Sequence, residues 1–172
     1  MARPNTSPPS NSSAPVPFTA ALLRLFAMRL NLFKWICSRW DRKPSSPKLE
    51  LGEHGEKWAA RYLRRRGYKV LVRRFRSRSG EIDLICRDGD WLVFVEVKTR
   101  VDEAFGTPSE AVDRTKQRHI SKVALDYLRR LRYPEVKFRF DIVEVLMQHG
   151  ARKPDDIRLI QDAFEMSEPY MY

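Results

Sequence analysis

At 172 residues and 42% apolar composition, the chain has room for one domain of ordinary size and enough apolar mass for a core. A formal charge of +11 and a pI near 10 favour a polyanionic partner, either nucleic acid or an anionic membrane surface. Two cysteines, Cys37 and Cys86, are too few for a disulfide framework and read as free thiols in a reducing compartment, so a cytoplasmic location is expected.

Residues 1–17 are rich in Pro, Ser and Asn, too poor in apolar mass to offset ordering entropy, and are expected to form a disordered tail. Residues 18–48 are expected to hold a basic amphipathic helix and a linker. Eight lysines and arginines face Asp41 alone in residues 1–48, a net +7 of the total. From Phe18 to Trp40, Leu22, Leu25, Phe26, Phe33, Ile36 and Trp40 share a helical face, with Arg24, Asn31, Lys34 and Arg39 opposite and Arg29 intruding. Arg24, Arg29 and Lys34 interrupt any apolar run near the ~20 residues of a membrane span. No small-residue cleavage site follows the short apolar run, so a secretory signal is not expected. Three readings stay open: a surface helix touching a membrane or a protein partner, an organelle transit peptide, or an accessory helix on the domain, with initiation nearer Met28 as a variant of the last. A peripheral place at the membrane is therefore kept beside the cytoplasmic one.

Residues 49–172 read as the folded domain. Glu50 to Arg66 has a helical pattern that stops at Gly67. Lys69 to Arg74 is a short strand. Glu81–Cys86 and Trp91–Lys98 are strands of a hairpin turned at Asp88-Gly89. A loop from Arg100 to Pro108 leads to a second helix, Ser109 to about Arg132, with Val112, Ile120, Val123, Tyr127 and Leu131 as its stripe. Val136–Leu146 alternates Phe138, Phe140 and Ile142 as a strand, and Arg158–Phe164 is a last short element. This order predicts an α/β domain with a mixed central sheet flanked by helices.

Charged residues stand inside the hairpin, among valines, isoleucines and phenylalanine, where burying charge is costly. A two-residue loop at Asp88-Gly89 sets Arg87 opposite Asp90. Asp83 then faces Phe94, and Glu96 lies one step along the same face, roughly 5–8 Å away. Lys98 follows Glu96 by two and shares its face. Two carboxylates so spaced make a hard oxygen site suited to Mg²⁺ or Mn²⁺. Such an ion polarises a phosphoryl oxygen and activates a bound water, which Lys98 could orient. The plain alternative is a salt-bridged group at a sheet edge. Glu56 shares a helical stripe with Ala59, Ala60 and Leu63, so it points toward whatever that helix covers and could reach the metal. It could equally be a favourable first-turn charge, and Glu53 competes for its role. Glu81, opposite Glu96 in this register, is either a ligand or the partner of a nearby arginine.

Asp83 followed by Glu96-Val97-Lys98 at the end of the next strand resembles the PD-(D/E)xK core of restriction-endonuclease-like nucleases. The wider text resembles the bacterial YraN family: Gly55-Glu56 with Ala59-Ala60 and Tyr62-Leu63, Gly67-Tyr68, Arg76, Gly80 to Ile85, Asp88, Val93 to Arg100, Phe105-Gly106, Glu110-Ala111-Val112, Lys116-Gln117 and Arg139-Phe140-Asp141. The resemblance runs from about Leu49 to Phe164. It implies a restriction-endonuclease-like fold, with Glu56, Asp83, Glu96 and Lys98 as the active site, Glu56, Asp83 and Glu96 as metal ligands, and Gln117 as an added polar group. The chain departs from the family at Arg74-Phe75, where Asn usually precedes the aromatic or basic residue, and its long N-terminal extension has no counterpart in the short members.

Basic runs flank the acidic centre. Arg61, Arg64, Arg65 and Arg66 end the first helix, Arg73, Arg74, Arg76 and Arg78 precede the site, and Arg114, Lys116, Arg118, Lys122, Arg129, Arg130 and Arg132 line the second helix. Such groups neutralise phosphates, and Arg76, Arg78, Arg100, Lys116 and Gln117 are the nearest candidates for nucleic-acid contact. No zinc-finger, P-loop or base-reading motif is present, so structure-selective rather than sequence-selective action on DNA is expected. The rival readings are a non-cleaving nucleic-acid-binding module and a membrane-associated adaptor. His54, His119 and His149 lack ligand spacing, and Cys86 reads as a core residue. The oligomeric state is open, a dimer included.

Overall fold

The computed structural model describes residues 47–101, 112–132 and 135–167. The expectations for residues 1–46, for most of the loop after Arg100 and for the helix start at 109–111 lie outside these residues.

Helix α1 spans Pro47–Arg65, starting three residues before the expected Glu50. Its end is built by Gly67 at φ 91. Tyr68 N donates to the Leu63 carbonyl and Gly67 N to that of Arg64, which satisfies the last-turn acceptors in a Schellman arrangement. Three strands follow: β1 (Lys69–Ser77), β2 (Gly80–Asp88) and β3 (Trp91–Arg100). Helix α2 (Arg114–Arg130) leads to β4 (Lys137–Leu146) and β5 (Asp156–Phe164).

The five strands lie in chain order across one mixed sheet. Only β3 and β4 are parallel neighbours. A parallel pair needs a long crossover, which α2 supplies. The helices cover opposite faces. Ala59, Ala60 and Leu63 of α1 pack on Leu84, Cys86, Val93, Val95, Val143 and Val145. Ile120, Val123 and Tyr127 of α2 pack on Ile85, Leu92, Phe94, Phe140 and Ile142. Because both faces of β3 are covered, Leu92 to Val95 are all buried and read as a continuous apolar run. The architecture is the mixed α/β layout expected, consistent with a restriction-endonuclease-like fold. Among the described residues, no helix is long and apolar enough to cross a membrane.

Four local expectations are corrected. The first strand runs on to Ser77 and turns back at Arg78-Ser79, with Ser77 opposite Gly80. The second hairpin turns at Gly89-Asp90, because Gly89 takes the positive φ (56) at the first loop position. Asp88 therefore faces Trp91, and Phe94 faces Ile85 rather than Asp83. The second helix does not take in residues 112 and 113: α2 starts at Arg114, and the Asp113 carboxylate accepts from Lys116 N at 2.8 Å and caps it. The last element is a full edge strand, paired with β4 from Asp156 to Phe164.

A candidate active site where β2 parts from β3

Pairing of β2 with β3 runs from Asp88–Trp91 to Leu84–Val95. Beyond it, β2 stays with β1 as far as Gly80, while β3 stays with β4 as far as Arg100. Asp83 sits where the strands part. Its carboxylate accepts from the backbone N–H of Val97 at 2.7 Å, taking the place of a strand partner. The register sets Asp83 level with Glu96, closer than the diagonal expected from the sequence, because the loop moved by one residue on each strand. The shift is even in total, so both side chains keep a common side.

Glu96 is 5% exposed. Its Oε1 receives Lys116 Nζ from α2 at 3.0 Å and Lys98 Nζ from its own strand at 3.3 Å. Its Oε2 is buried and has no hydrogen-bond partner among the described residues. Burial first, and the Glu96 charge second, push the Asp83 carboxyl up to about 7, against the lowering effect of the Val97 N–H; Glu56 adds to the rise and Lys116 opposes it.

Glu56 reaches this region from α1, 8% exposed. It is held in a fork by Arg74, whose Nε donates to Oε2 at 2.8 Å and whose Nη2 donates to Oε1 at 3.0 Å. Arg74 Nη1 also holds Glu53 at 2.7 Å. The bonds from Glu56 raise the already high pKa of the Arg74 guanidinium, against its partial burial. Arg74 stands at φ 48 in the left-handed region, which Asn adopts more readily than Arg. Here the side chain aims at α1.

Glu81 is not part of the acidic group. It lies opposite Arg76 on β1 and is salt-bridged to it. The register shift removes it from Glu96, and its alternative as an arginine partner is the one realised. Gln117 Nε2 donates to the Val112 carbonyl at 2.9 Å. Arg78 is exposed in the β1–β2 turn, and Arg100 ends β3 half-buried. Among the described residues, no three His, Cys, Asp or Glu side chains form a ready metal cage. The donor set nonetheless fits a divalent cation at one point: an orphaned buried carboxylate oxygen on Glu96 beside Asp83, whose carboxyl is pushed up to about 7.

Three residues of the site were not assigned their places from the sequence. Lys116 neutralises Glu96, where a phosphate contact was expected. Arg74 neutralises Glu56. Glu144 on β4 is 1% exposed, with neither carboxylate oxygen partnered among the described residues. Its signal was legible, since it continues the Phe138, Phe140, Ile142 alternation as an acid on an apolar stripe.

Arg139 and Asp141 serve the opposite sheet face, the one that α1 covers. Arg139 binds Asp141 through Nε at 2.9 Å, and its Nη2 donates to Asp88 and to the Tyr68 hydroxyl, each at 2.8 Å. Gln161 Nε2 donates to Tyr68, and Asp162 N to Asp141. This network is internally satisfied and packs beside Cys86, a buried thiol pushed up to about 12 by burial and by Asp141.

The model of one protein family, described as uncharacterised protein family UPF0102, matches residues 55–145. A UPF0102 protein of Rhodococcus opacus is 48% identical over 116 residues, 67% of this chain and 97% of its own length. Those of Caldicellulosiruptor saccharolyticus and Symbiobacterium thermophilum are 46% and 50% identical over 68% and 66% of this chain, and 98% and 95% of their own lengths. The matched span contains Glu56, Asp83, Glu96, Lys98, Lys116 and Glu144, and the chain belongs to the UPF0102 family.

Proposed function

We propose that the chain is a metal-dependent endonuclease that hydrolyses phosphodiester bonds in DNA and selects structure rather than sequence. The observation that carries this reading is the Asp83–Glu96 pair, two carboxylates packed where the sheet opens, one with an orphaned oxygen and the other pushed toward its protonated form. Lys98 and Lys116 meet Glu96 at Oε1 alone, which leaves Oε2 open, and the pair's hard oxygen donors suit Mg²⁺ or Mn²⁺. Asp83 and Glu96 would hold the ion, and Glu56 would join on leaving Arg74. A bound ion supplies Lewis acidity toward the phosphoryl group and a water of lowered pKa. Lys98 would orient the attacking water or face the charge that develops on the phosphate. Lys116, drawn off Glu96, would meet a neighbouring phosphate. Arg76, Arg78 and Arg100 flank the opening and would neutralise the strand on either side, so affinity should fall with salt.

One observation favours a second reading, a non-cleaving nucleic-acid-binding module. The acids are already partly compensated from within, Glu96 by Lys98 and Lys116 and Glu56 by Arg74. The deciding experiment incubates the full chain with branched and linear DNA in Mg²⁺, Mn²⁺ or EDTA, beside Asp83→Ala and Lys98→Ala. Metal-dependent cutting that falls by on the order of 10²-fold or more in both variants is expected. Equal cutting by all three proteins would remove the assigned site. Salt-sensitive binding without cutting would establish the second reading.

A further inference from the structure

Glu144 is a buried acid that the proposed reaction does not use. It lies directly opposite Lys98 on the parallel neighbour strand and opposite Arg158 on the antiparallel one, so all three side chains share the α2 face of the sheet. It is 1% exposed, and both of its oxygens lack a hydrogen-bond partner among the described residues. An orphaned buried carboxylate is expensive, and native structures hold few such groups. Of its two flanking cations, Arg158 is exposed on the edge strand, whereas Lys98 is half-buried at the site. Lys98 leans instead on Glu96 Oε1, at a longish 3.3 Å, and shares that oxygen with Lys116.

We propose that Glu144 is a positioning residue for Lys98: when a divalent cation takes Glu96, the Lys98 ammonium passes from Glu96 to Glu144. This rests on the metal-site reading above. A cation on Glu96 repels both lysines. Lys116, half-buried near the start of α2, can swing out to solvent or phosphate. Lys98 is strand-bound, and the acid directly opposite it on the neighbouring strand is Glu144. The exchange leaves Lys98 fixed beside the reacting phosphate and satisfies an acid that is otherwise stranded. It also lowers the cost of displacing Lys98, so Glu144 favours cation binding through the lysine.

Mn²⁺ binding to the full chain, measured by calorimetry, tests this in four proteins: unaltered, Glu144→Gln, Lys98→Met and the double variant. Glu144→Gln should weaken Mn²⁺ binding on the order of tenfold in the unaltered background and have no effect in Lys98→Met, because effects that run through one contact are not additive. Equal weakening in both backgrounds would mean that Glu144 acts on the cation directly and would overturn the proposal, as would no weakening at all. If the unaltered chain binds no Mn²⁺, the metal reading falls and takes this inference with it; binding indifferent to Glu144 removes this inference alone. Glu144→Gln keeps the side chain's shape and removes an uncompensated charge, so its thermal midpoint should not drop. Glu144→Met replaces it in the same cycle if it does.

Discussion

Gly55 and Thr99 meet so closely that a Cβ on Gly55 would lie 1.9 Å from Thr99 Oγ1 and 3.0 Å from Thr99 Cβ. This is the point where α1 crosses β3. Glu56 follows the glycine and Lys98 precedes the threonine, so one contact sets the height of both site residues. Gly55→Ala should force α1 away from the sheet and destabilise by about 1–3 kcal/mol, the usual range for overpacking. Thr99→Ala in the same chain should recover part of that loss, since it removes the nearest atom but not Cβ. Urea unfolding of the two single variants and the double variant measures it; strictly additive losses would contradict the contact.

Asp83 gives the site a pH signature. Its carboxyl is raised from an ordinary value of 3.8 to about 7, by burial and then by Glu96. Between those two values the folded chain holds a proton that the unfolded chain has released. Stability from this group is therefore lost as pH rises through that window. Cation binding needs the ionised form, so Mg²⁺ affinity should rise over the same window and Mg²⁺ should offset the fall. Asp83→Asn should remove both effects. The measurement is the difference in unfolding free energy between the unaltered chain and Asp83→Asn from pH 4 to 8, with and without Mg²⁺. A flat difference without Mg²⁺ would contradict the environment assigned to Asp83.

Arg74 couples a strained backbone to Glu56. Its φ of 48 costs a non-glycine residue about 1–3 kcal/mol, and its fork of hydrogen bonds covers an acid that is 8% exposed. Arg74→Ala should lose the fork and keep the strain. Arg74→Gly should lose the fork and release the strain, so the glycine variant should be the more stable of the two by about 1 kcal/mol. Both should fall below the unaltered chain by about 1–3 kcal/mol, because Glu56 is left without its partner. Mg²⁺ should stabilise both variants more than the unaltered chain if Glu56 is a ligand. Thermal unfolding with and without Mg²⁺ decides, and an equal Mg²⁺ increment in all three would exclude Glu56 from the cation site.

The element order, the mixed sheet and the two-faced burial of β3 were legible because they depend on periodicity: Leu92 to Val95 is apolar at every position, and Ala59, Ala60 and Leu63 repeat at helical spacing. The grouping of Asp83, Glu96 and Lys98 depended only on parity, which survived a wrong turn. Moving the loop from Asp88-Gly89 to Gly89-Asp90 shifts each pair by two and leaves the faces unchanged, although it moves Asp83 level with Glu96 and frees Glu81 for Arg76. What stayed hidden depends on long-range packing. Lys116 meets Glu96 only because α2 crosses the sheet there, and no local pattern tells a lysine aimed inward from one aimed at phosphate. Arg74 was the reverse case: a basic residue in a basic run, distinguished only by a backbone angle that sequence does not display.

The Arg139–Asp141 pair separates architecture from chemistry. Asp141 is fully buried and holds Arg139, the Tyr68 hydroxyl and the N–H of Asp162, itself at φ 49. The same stretch is where the β4–β5 register slips, between Phe140 and Ile142. Asp141 thus anchors an irregular edge strand to the sheet through its side chain. Burial raises its pKa, and Arg139 and the Asp162 N–H work against that rise. Asp141→Ala would leave Arg139 with Asp88 as its remaining carboxylate and the Asp162 N–H without its acceptor, at a cost of about 1–3 kcal/mol. Replacing both members, Arg139→Met with Asp141→Leu, should recover much of that cost, because removing a buried pair together is far cheaper than breaking it. The network sits on the α1 face near the start of β3, away from the opening at Asp83. Mn²⁺ affinity per folded molecule should therefore stay within about twofold of the unaltered value in both variants, as expected for sites that share no partners. Calorimetry on the folded fraction, beside urea unfolding, measures the two quantities separately. A change in Mn²⁺ affinity that tracks the loss in stability would mean that the two faces of the sheet are coupled, and the division between framework and site would have to be redrawn.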